Sequence, residues 1–221
     1  LVYLSNQSHY SYLEQELIAV VLIVATIFML TYRVFRNQIK GTLEKVSYTL
    51  LGIIYVSVFF SQIINLYFLG TVFPLILQVL VWVSDTSAGI VGVTIGRKFF
   101  KNGFTEISPK KSVEGALGSI IFTGLAFMLI VILYIERVNG TTTGEVILSF
   151  IIGAIISIVA QIGDLIESLF KRECGVKDSG TILMGHGGVL DRFDSMILVL
   201  PFVTMVLYFF HLYISYQYGI N

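Results

Sequence analysis

The residues of this chain whose types and spacing can do chemistry are a handful of carboxylates and lysines set among apolar runs. Asp164 and Glu167 stand three residues apart, as do Asp191 and Asp194, while Asp85 is alone in a greasy segment. On a helix an i,i+3 spacing puts both side chains on one face. Asp164, Asp191 and Asp194 can together offer three oxygen ligands from two helices. Oxygen donors without Cys or His suit Mg2+, which takes one or two protein carboxylates and fills its shell with water and phosphate oxygens. Lys110 and Lys111 follow Pro109 just before a helix expected to begin near Val113, with Ser112 as its N-cap. Two lysines at a helix N-terminus make an anion site.

The densest group is the stretch SLFKRECGVKDSGTILMGHGGVLDRFDS, Ser168 to Ser195. It carries four basic residues (Lys171, Arg172, Lys177, Arg192), four acidic ones (Glu173, Asp178, Asp191, Asp194), His186 and five glycines. A charge at the bilayer centre costs about 2.5–3.5 kcal/mol on insertion scales, so this stretch must lie at a membrane face or line a polar cavity. Its four cations can hold a triphosphate or the phosphate of a lipid. His186 reads as a structural donor in its glycine turn rather than as a ligand, because the glycines around it free backbone N–H groups for phosphate.

Plainer accounts compete. An i,i+4 pair with Lys171 explains Glu167 equally well, and the helix dipole alone favours Asp191 and Asp194 in a first turn. Asp164 and Asp85 have no cation within a turn in sequence, which makes them the stronger functional candidates. Ordinary topology charge accounts for Arg97, Lys98 and Lys101. Cys174, the only cysteine, excludes a disulfide framework and a thiolate cluster and reads as an incidental free thiol.

The elements that must position these groups are membrane spans. The 221 residues are 56% hydrophobic and 13% charged, with mean hydropathy +0.86, whereas soluble domains are about a quarter charged. An all-α, polytopic membrane protein with a polar cavity facing the cytoplasm is expected. A span needs about 20 apolar residues, and six runs qualify: Leu17–Tyr32, Val46–Leu69, Thr71–Ile95, Val113–Ile135, Val146–Leu169 and Ser195–Ile214. Continuous rather than alternating runs exclude barrel strands. Small residues recur at Ser84, Ala88, Gly92 and Gly96, a stripe that admits a close helix and keeps Asp85 near it. Gly163 does the same beside Asp164. The first sixteen residues lack a basic n-region, and the chain reads as one whose natural N-terminus lies upstream of Leu1. Residues 1–80 are expected to form an N-terminal membrane part and 81–221 the catalytic part.

Three blocks resemble the CDP-diacylglycerol synthase (phosphatidate cytidylyltransferase) family. They are S-x-F-K-R-x4-K-D-S-G-x-x-L-x-G-H-G-G-V-x-D-R-F-D from Ser168 to Asp194, W-V-S-D-T-S-A from Trp82 to Ala88, and S-P-K-K-S-V-E-G from Ser108 to Gly115. Together they cover about the C-terminal half. Met184 stands where the family has proline, and Gly89 where it has an aromatic residue. The resemblance implies Mg2+-dependent transfer of cytidylyl from CTP to phosphatidic acid, with CDP-diacylglycerol and pyrophosphate as products. It implies Asp164, Asp191 and Asp194 as metal ligands, with Lys177 and Asp178 beside them in catalysis. Substrate contacts would come from Asp85, Ser108, Lys110, Lys111, Lys171, Arg172, His186, Gly187, Gly188 and Arg192. A second cation and a homodimer are compatible with it, and no nucleic acid partner is expected. Two rivals stay open: a CTP-using membrane enzyme acting on another lipid phosphate or a polyprenol, and an ion-coupled transporter. The absence of inverted repeats and a loop this rich in Gly, Lys and Asp weigh against the transporter.

Arg33, Arg36, Lys40 and Lys45 follow the first run. Arg97, Lys98, Lys101, Lys110 and Lys111 follow the third, and Lys171, Arg172, Lys177 and Arg192 follow the fifth; of the 14 Lys and Arg only Arg137 lies elsewhere. The positive-inside rule puts these three loops in the cytoplasm, as expected for a multi-pass protein of a bacterial plasma membrane. A cysteine placed at Asn139 should then react with an impermeant thiol reagent in intact cells. Labelling only after permeabilisation would reverse the map.

Overall fold

A computed structural model describes residues 2–37, 39–100, 103–135, 142–182 and 187–218. Its elements are helices α1 (Val2–Phe35), α2 (Thr42–Gly52), a π-helical turn (Ile53–Val58), α3 (Phe59–Leu69), α4 (Phe73–Thr94), α5 (Val113–Ile135), α6 (Thr143–Glu173) and α7 (Leu190–Tyr218). Backbone angles stay helical through Gly52, Ile53, Val58 and Phe59, so α2, the π turn and α3 form one rod. Six helical segments are long and apolar enough to cross a membrane: Leu17–Phe35, Thr42–Leu69, Phe73–Thr94, Val113–Tyr134, Thr143–Glu173 and Leu190–Gln217. No strand occurs among the described residues; Gly103 and Ser112 form an isolated bridge.

All six expected spans are present, and several helices overrun the apolar runs that announced them. α6 continues past Leu169 through Lys171 and Arg172. Cations in a last turn face the negative end of the helix dipole, which favours that extension. At its other end Thr142 accepts from the backbone N–H of Glu145 while Glu145 accepts from that of Thr142, a capping box. Ser112 caps α5 as its sequence position suggests, its Oγ accepting from Gly115 N at 3.1 Å.

The chain divides into two compact units, Leu1–Thr71 and Val72–Asn221. In the first, α1 packs on α2, and Arg33 closes their turn by donating to the Lys40 carbonyl at 3.0 Å and Thr42 Oγ1 at 3.3 Å. In the second, α5 packs on α4 and α6, and α6 packs in turn on α7. Large apolar side chains are exposed along every helix, as a surface meant for lipid requires. The interior mixes apolar side chains such as Leu80, Ala160, Val199 and Leu200 with small polar ones: Ser84, Ser119, Thr123 and Ser157 are also fully buried. Apolar burial gains nothing when the solvent is hydrocarbon, so close backbone approach and interhelical hydrogen bonds hold such helices together. Ser84 and Ser157 are joined at 2.8 Å between α4 and α6, and Gln161 Nε2 on α6 donates to Ser119 Oγ on α5 at 2.8 Å.

Glycines set the distances. A Cβ on Gly153 of α6 would stand 2.8 Å from the Thr123 carbonyl oxygen and 3.0 Å from Gly124 Cα of α5. One on Gly163 would stand 3.0 Å from the carbonyl oxygens of Asp194 and Ser195 on α7. Gly153→Val should therefore force α5 and α6 apart at a cost of about 1–3 kcal/mol and lower the unfolding temperature in detergent. Gly52→Ala, at a site with no atom within 4 Å, should leave that temperature unchanged or raise it. Equal behaviour of the two variants would contradict the packing described.

Candidate functional site

The chemistry-bearing residues gather at the end of the second unit where α4 and α6 finish and α5 and α7 begin. Two loops are shaped to deliver them. The first, between α4 and α5, is fixed by Glu114 in the first turn of α5. This nearly buried carboxylate accepts from the backbone N–H groups of Arg97 at 3.0 Å and of Phe99 and Phe100 at 2.9 Å each. Arg97, held at φ +63°, donates from Nη2 to the Pro109 carbonyl at 2.6 Å. Phe104 N donates to the Lys111 carbonyl at 2.8 Å, and Lys111 N to that of Ser108 at 3.1 Å. The loop is thus folded back on itself, and it presents Lys111 at the foot of α5. From there the Lys111 ammonium forms an ion pair with Asp164 Oδ2 of α6.

The second loop leaves α6 and enters α7, and Asp191 organises it. Its Oδ2 accepts from Gly188 N at 2.7 Å, Ser179 Oγ at 2.8 Å and Ser179 N at 2.9 Å. Its Oδ1 accepts from Lys171 Nζ at 2.8 Å. Lys171 also pairs with Glu167, one turn back on α6, so one ammonium bridges two carboxylates. Glu167 is 1% exposed, and among the described residues Lys171 is the cation paired with it. Gly187 sits at φ +80° with Asp191 against it, a conformation that excludes a side chain.

The two arrangements form one charged region. Asp85 of α4 lies within coulombic range of Asp164, Asp194 and Lys111. Asp194 lies within range of Asp164, Lys111 and Lys171. Five carboxylates from three helices therefore surround two ammonium groups in a bundle otherwise made of apolar and hydroxyl side chains. That excess of negative charge suits a cation. Among the described residues no three His, Cys, Asp or Glu stand close enough to form an all-protein metal cage. Mg2+ would need only one or two carboxylates, for which Asp164 and Asp194 are the candidates, with waters and phosphate oxygens as the remaining ligands. Asp191 has its oxygens occupied by Lys171, Ser179 and Gly188.

The remaining candidates are distributed around this region. Ser108 is half-buried in the first loop, and Lys110 is exposed beside Lys111. Arg172, Lys177, Asp178 and Arg192 are exposed on and after α6 and at the start of α7, and Gly188 is buried under Ser179 and Gly180. His186 lies outside the described residues, as do Met184 and Lys101. Sequence reasoning missed two contributors, Glu114 and Ser179, and one pairing, that of Lys111 with Asp164. Glu114 was quoted in a motif without a role, although a carboxylate one turn into an apolar helix is itself a signal. Ser179 gave no signal. Lys111 was expected to meet an anionic ligand, and its pairing with an Asp 53 residues away has no trace in local spacing.

Lys171→Met should destabilise the protein, because it strips the shared cation from two carboxylates that are 1% and 12% exposed. Breaking a buried pair from one side costs about 3–5 kcal/mol. Lys171→Met/Glu167→Gln should recover part of that loss in a denaturation series, since one stranded charge is then gone. A double variant as unstable as the single would mean that the pair carries no such coupling.

The comparisons with known proteins agree with one another. Residues 1–210 match the model of the Cytidylyltransferase family. A phosphatidate cytidylyltransferase of Bacillus subtilis (strain 168) is 35% identical over 208 residues, covering 92% of this chain and 74% of that protein. One of Staphylococcus saprophyticus is 36% identical over 186 residues, covering 84% and 68%. One of Staphylococcus aureus (strain COL) is 34% identical over 187 residues, with the same coverage of 84% and 68%. With its helical membrane architecture and this breadth of match, the chain belongs to the cytidylyltransferase family.

Proposed function

We propose that this protein transfers the cytidylyl group of CTP to phosphatidic acid, giving CDP-diacylglycerol and pyrophosphate, from a site facing the cytoplasm. The observation that carries the reading is the likeness to phosphatidate cytidylyltransferases at 33–36% identity. The site chemistry supports it. A phosphomonoester has its second pKa near 6, so the acceptor is already an anionic nucleophile at pH 7 and requires no general base. A phosphate oxygen of the acceptor bonds to the α-phosphorus of CTP, the bond from that phosphorus to the bridging oxygen breaks, and pyrophosphate leaves with the electron pair. Two polyanions must be brought together for this, which makes alignment and charge neutralisation the main demands.

The residues have distinct tasks in this scheme. Lys110 and Lys111, at the capped N-terminus of α5, hold the triphosphate. Arg172, Lys177 and Arg192, exposed near the membrane face, take phosphate oxygens of nucleotide or lipid. Asp164 and Asp194 hold Mg2+, whose contribution when bound is to neutralise charge on the phosphoryl oxygens. Lys171 and Asp191 fix the loop over which the nucleotide lies. A site among membrane helices admits an acceptor that never leaves the bilayer. The small, hydroxyl-lined contacts between α4, α5 and α6 keep these groups in register.

Pyrophosphate release from CTP by the purified protein, measured with and without Mg2+ across a panel of lipid phosphates, tests the assignment. Phosphatidic acid should support release in the presence of Mg2+ alone among the panel. Release driven only by a polyprenyl phosphate would replace the acceptor. Asp164→Asn keeps the shape of the side chain and removes its charge, so turnover should fall at least about a hundredfold, several kcal/mol of barrier, with the melting temperature little changed. An Asp164→Asn protein with full activity would leave that residue as a structural partner only.

A further inference from the structure

The two lysine–carboxylate contacts of the site are built very differently. Asp191 is saturated: its oxygens take Lys171, Ser179 N, Ser179 Oγ and Gly188 N. Lys171 is in addition locked to a second, fully buried carboxylate. Asp164 is open. Among the described residues its Oδ2 meets Lys111 and its Oδ1 has a single long contact, 3.4 Å from Ser168 Oγ. The side chains of this pair are 33% and 25% exposed, against 17% and 12% for Lys171 and Asp191. Lys111 also stands outside the helices, on the last residues of a loop, with four side-chain bonds to turn about. The same ammonium lies within coulombic range of Asp85 and Asp194. One ammonium, paired with Asp164 and within coulombic range of two further carboxylates, therefore stands where a divalent cation would neutralise them better.

We propose that Lys111 is a tethered counter-ion: it occupies Asp164 while the site is empty, yields that carboxylate to a divalent cation, and takes the triphosphate as its next partner. This rests on the reading of the site given above and adds a coupling to it. An ammonium and a divalent cation on one carboxylate oxygen repel each other, so the cation alone must displace the lysine. With a triphosphate present the displaced ammonium gains a new anion, and the cation then binds more tightly. By linkage the cation must tighten nucleotide binding by the same factor. Lys171, paired with Glu167 and with an Asp191 that Ser179 and Gly188 also hold, does not exchange. The asymmetry between the two lysines is what separates this device from a generally acidic pocket.

The test reads cation binding directly. Mn2+ is titrated into the purified full chain in nanodiscs without nucleotide, and free Mn2+ is followed by electron paramagnetic resonance. Lys111→Gln should bind Mn2+ roughly tenfold more tightly than the unaltered protein, a factor within the usual range for such couplings. The tightening of Mn2+ binding that CTP gives the unaltered protein should be smaller in the variant, where only direct coordination by the phosphates remains. Lys110→Gln, which removes the same charge from the exposed neighbour of Lys111, should show a clearly smaller gain in Mn2+ affinity. As a check that needs no variant, the Lys111 amine should become more reactive toward an acylating reagent when Mn2+ is added, read by peptide mass spectrometry. Unchanged or weaker Mn2+ binding by Lys111→Gln, or a Lys111 amine indifferent to Mn2+, would overturn the proposal while leaving cytidylyl transfer intact. An unaltered protein that binds no Mn2+, or an Asp164→Asn protein that binds it equally well, would remove the metal from Asp164 and the proposal with it.

Discussion

Carboxylates inside an apolar helical bundle must be neutralised, and the architecture of the second unit follows from how that is done. Water solvates a charge for little; a membrane interior does not, and an unpaired carboxylate there costs several kcal/mol. Asp85, Asp164, Glu167, Asp191 and Asp194 are supplied by α4, α6 and α7, and two lysines answer them. Lys171 arrives by helical spacing from Glu167. Lys111 arrives from the segment just before α5, whose backbone bonds Phe104 and Ser108, while Glu114 holds the start of the same connection at Arg97, Phe99 and Phe100. The remaining excess of negative charge is what the proposed divalent cation would offset.

Such an arrangement demands exact helix spacing, which glycine contacts and buried hydroxyls set within an interior that also holds apolar side chains. The backbone of α6 lies against α5 at Gly153 and against α7 at Gly163. The second contact stands beside Asp164 on one helix and at Asp194 on the other, so a missing side chain fixes the relation of two charged ones. Buried serines and Gln161 tie α4, α5 and α6 together beside Asp85 and within about two turns of Asp164. Each such bond is worth only about 0.6 kcal/mol on average in a membrane protein. Their combined effect is on register, which an ion pair across helices requires.

Much of this was legible in the sequence, and the boundary of legibility is physical. Spans follow from apolar run length, which is why all six appear where expected. Their ends do not, because a helix continues for a turn or more into charged residues when the dipole favours them, as at Lys171 and Arg172. Ser112 as a cap and Gly163 as a point of close approach were readable, since both are consequences of one residue's own chemistry. Lys111 on Asp164 and Ser84 on Ser157 were not, because 53 and 73 residues separate the partners. Asp191 had been read through the dipole and a metal; its hold on Ser179 and Gly188 needed the folded loop to be seen. The reaction itself came from motif resemblance, and the site supplies its rationale rather than its name.

The central claim is that the bond broken is the one between the α- and β-phosphates of CTP, with the cytidylyl group passing to the lipid. Parallel reactions with CTP labelled at the α- or the γ-phosphorus, followed by extraction of the lipid, test it most directly. The account predicts α-label in the lipid phase in step with phosphatidic acid consumed, and γ-label wholly in aqueous pyrophosphate. Label from the γ-position in the lipid would mean phosphoryl transfer instead, and would contradict the assignment of this site.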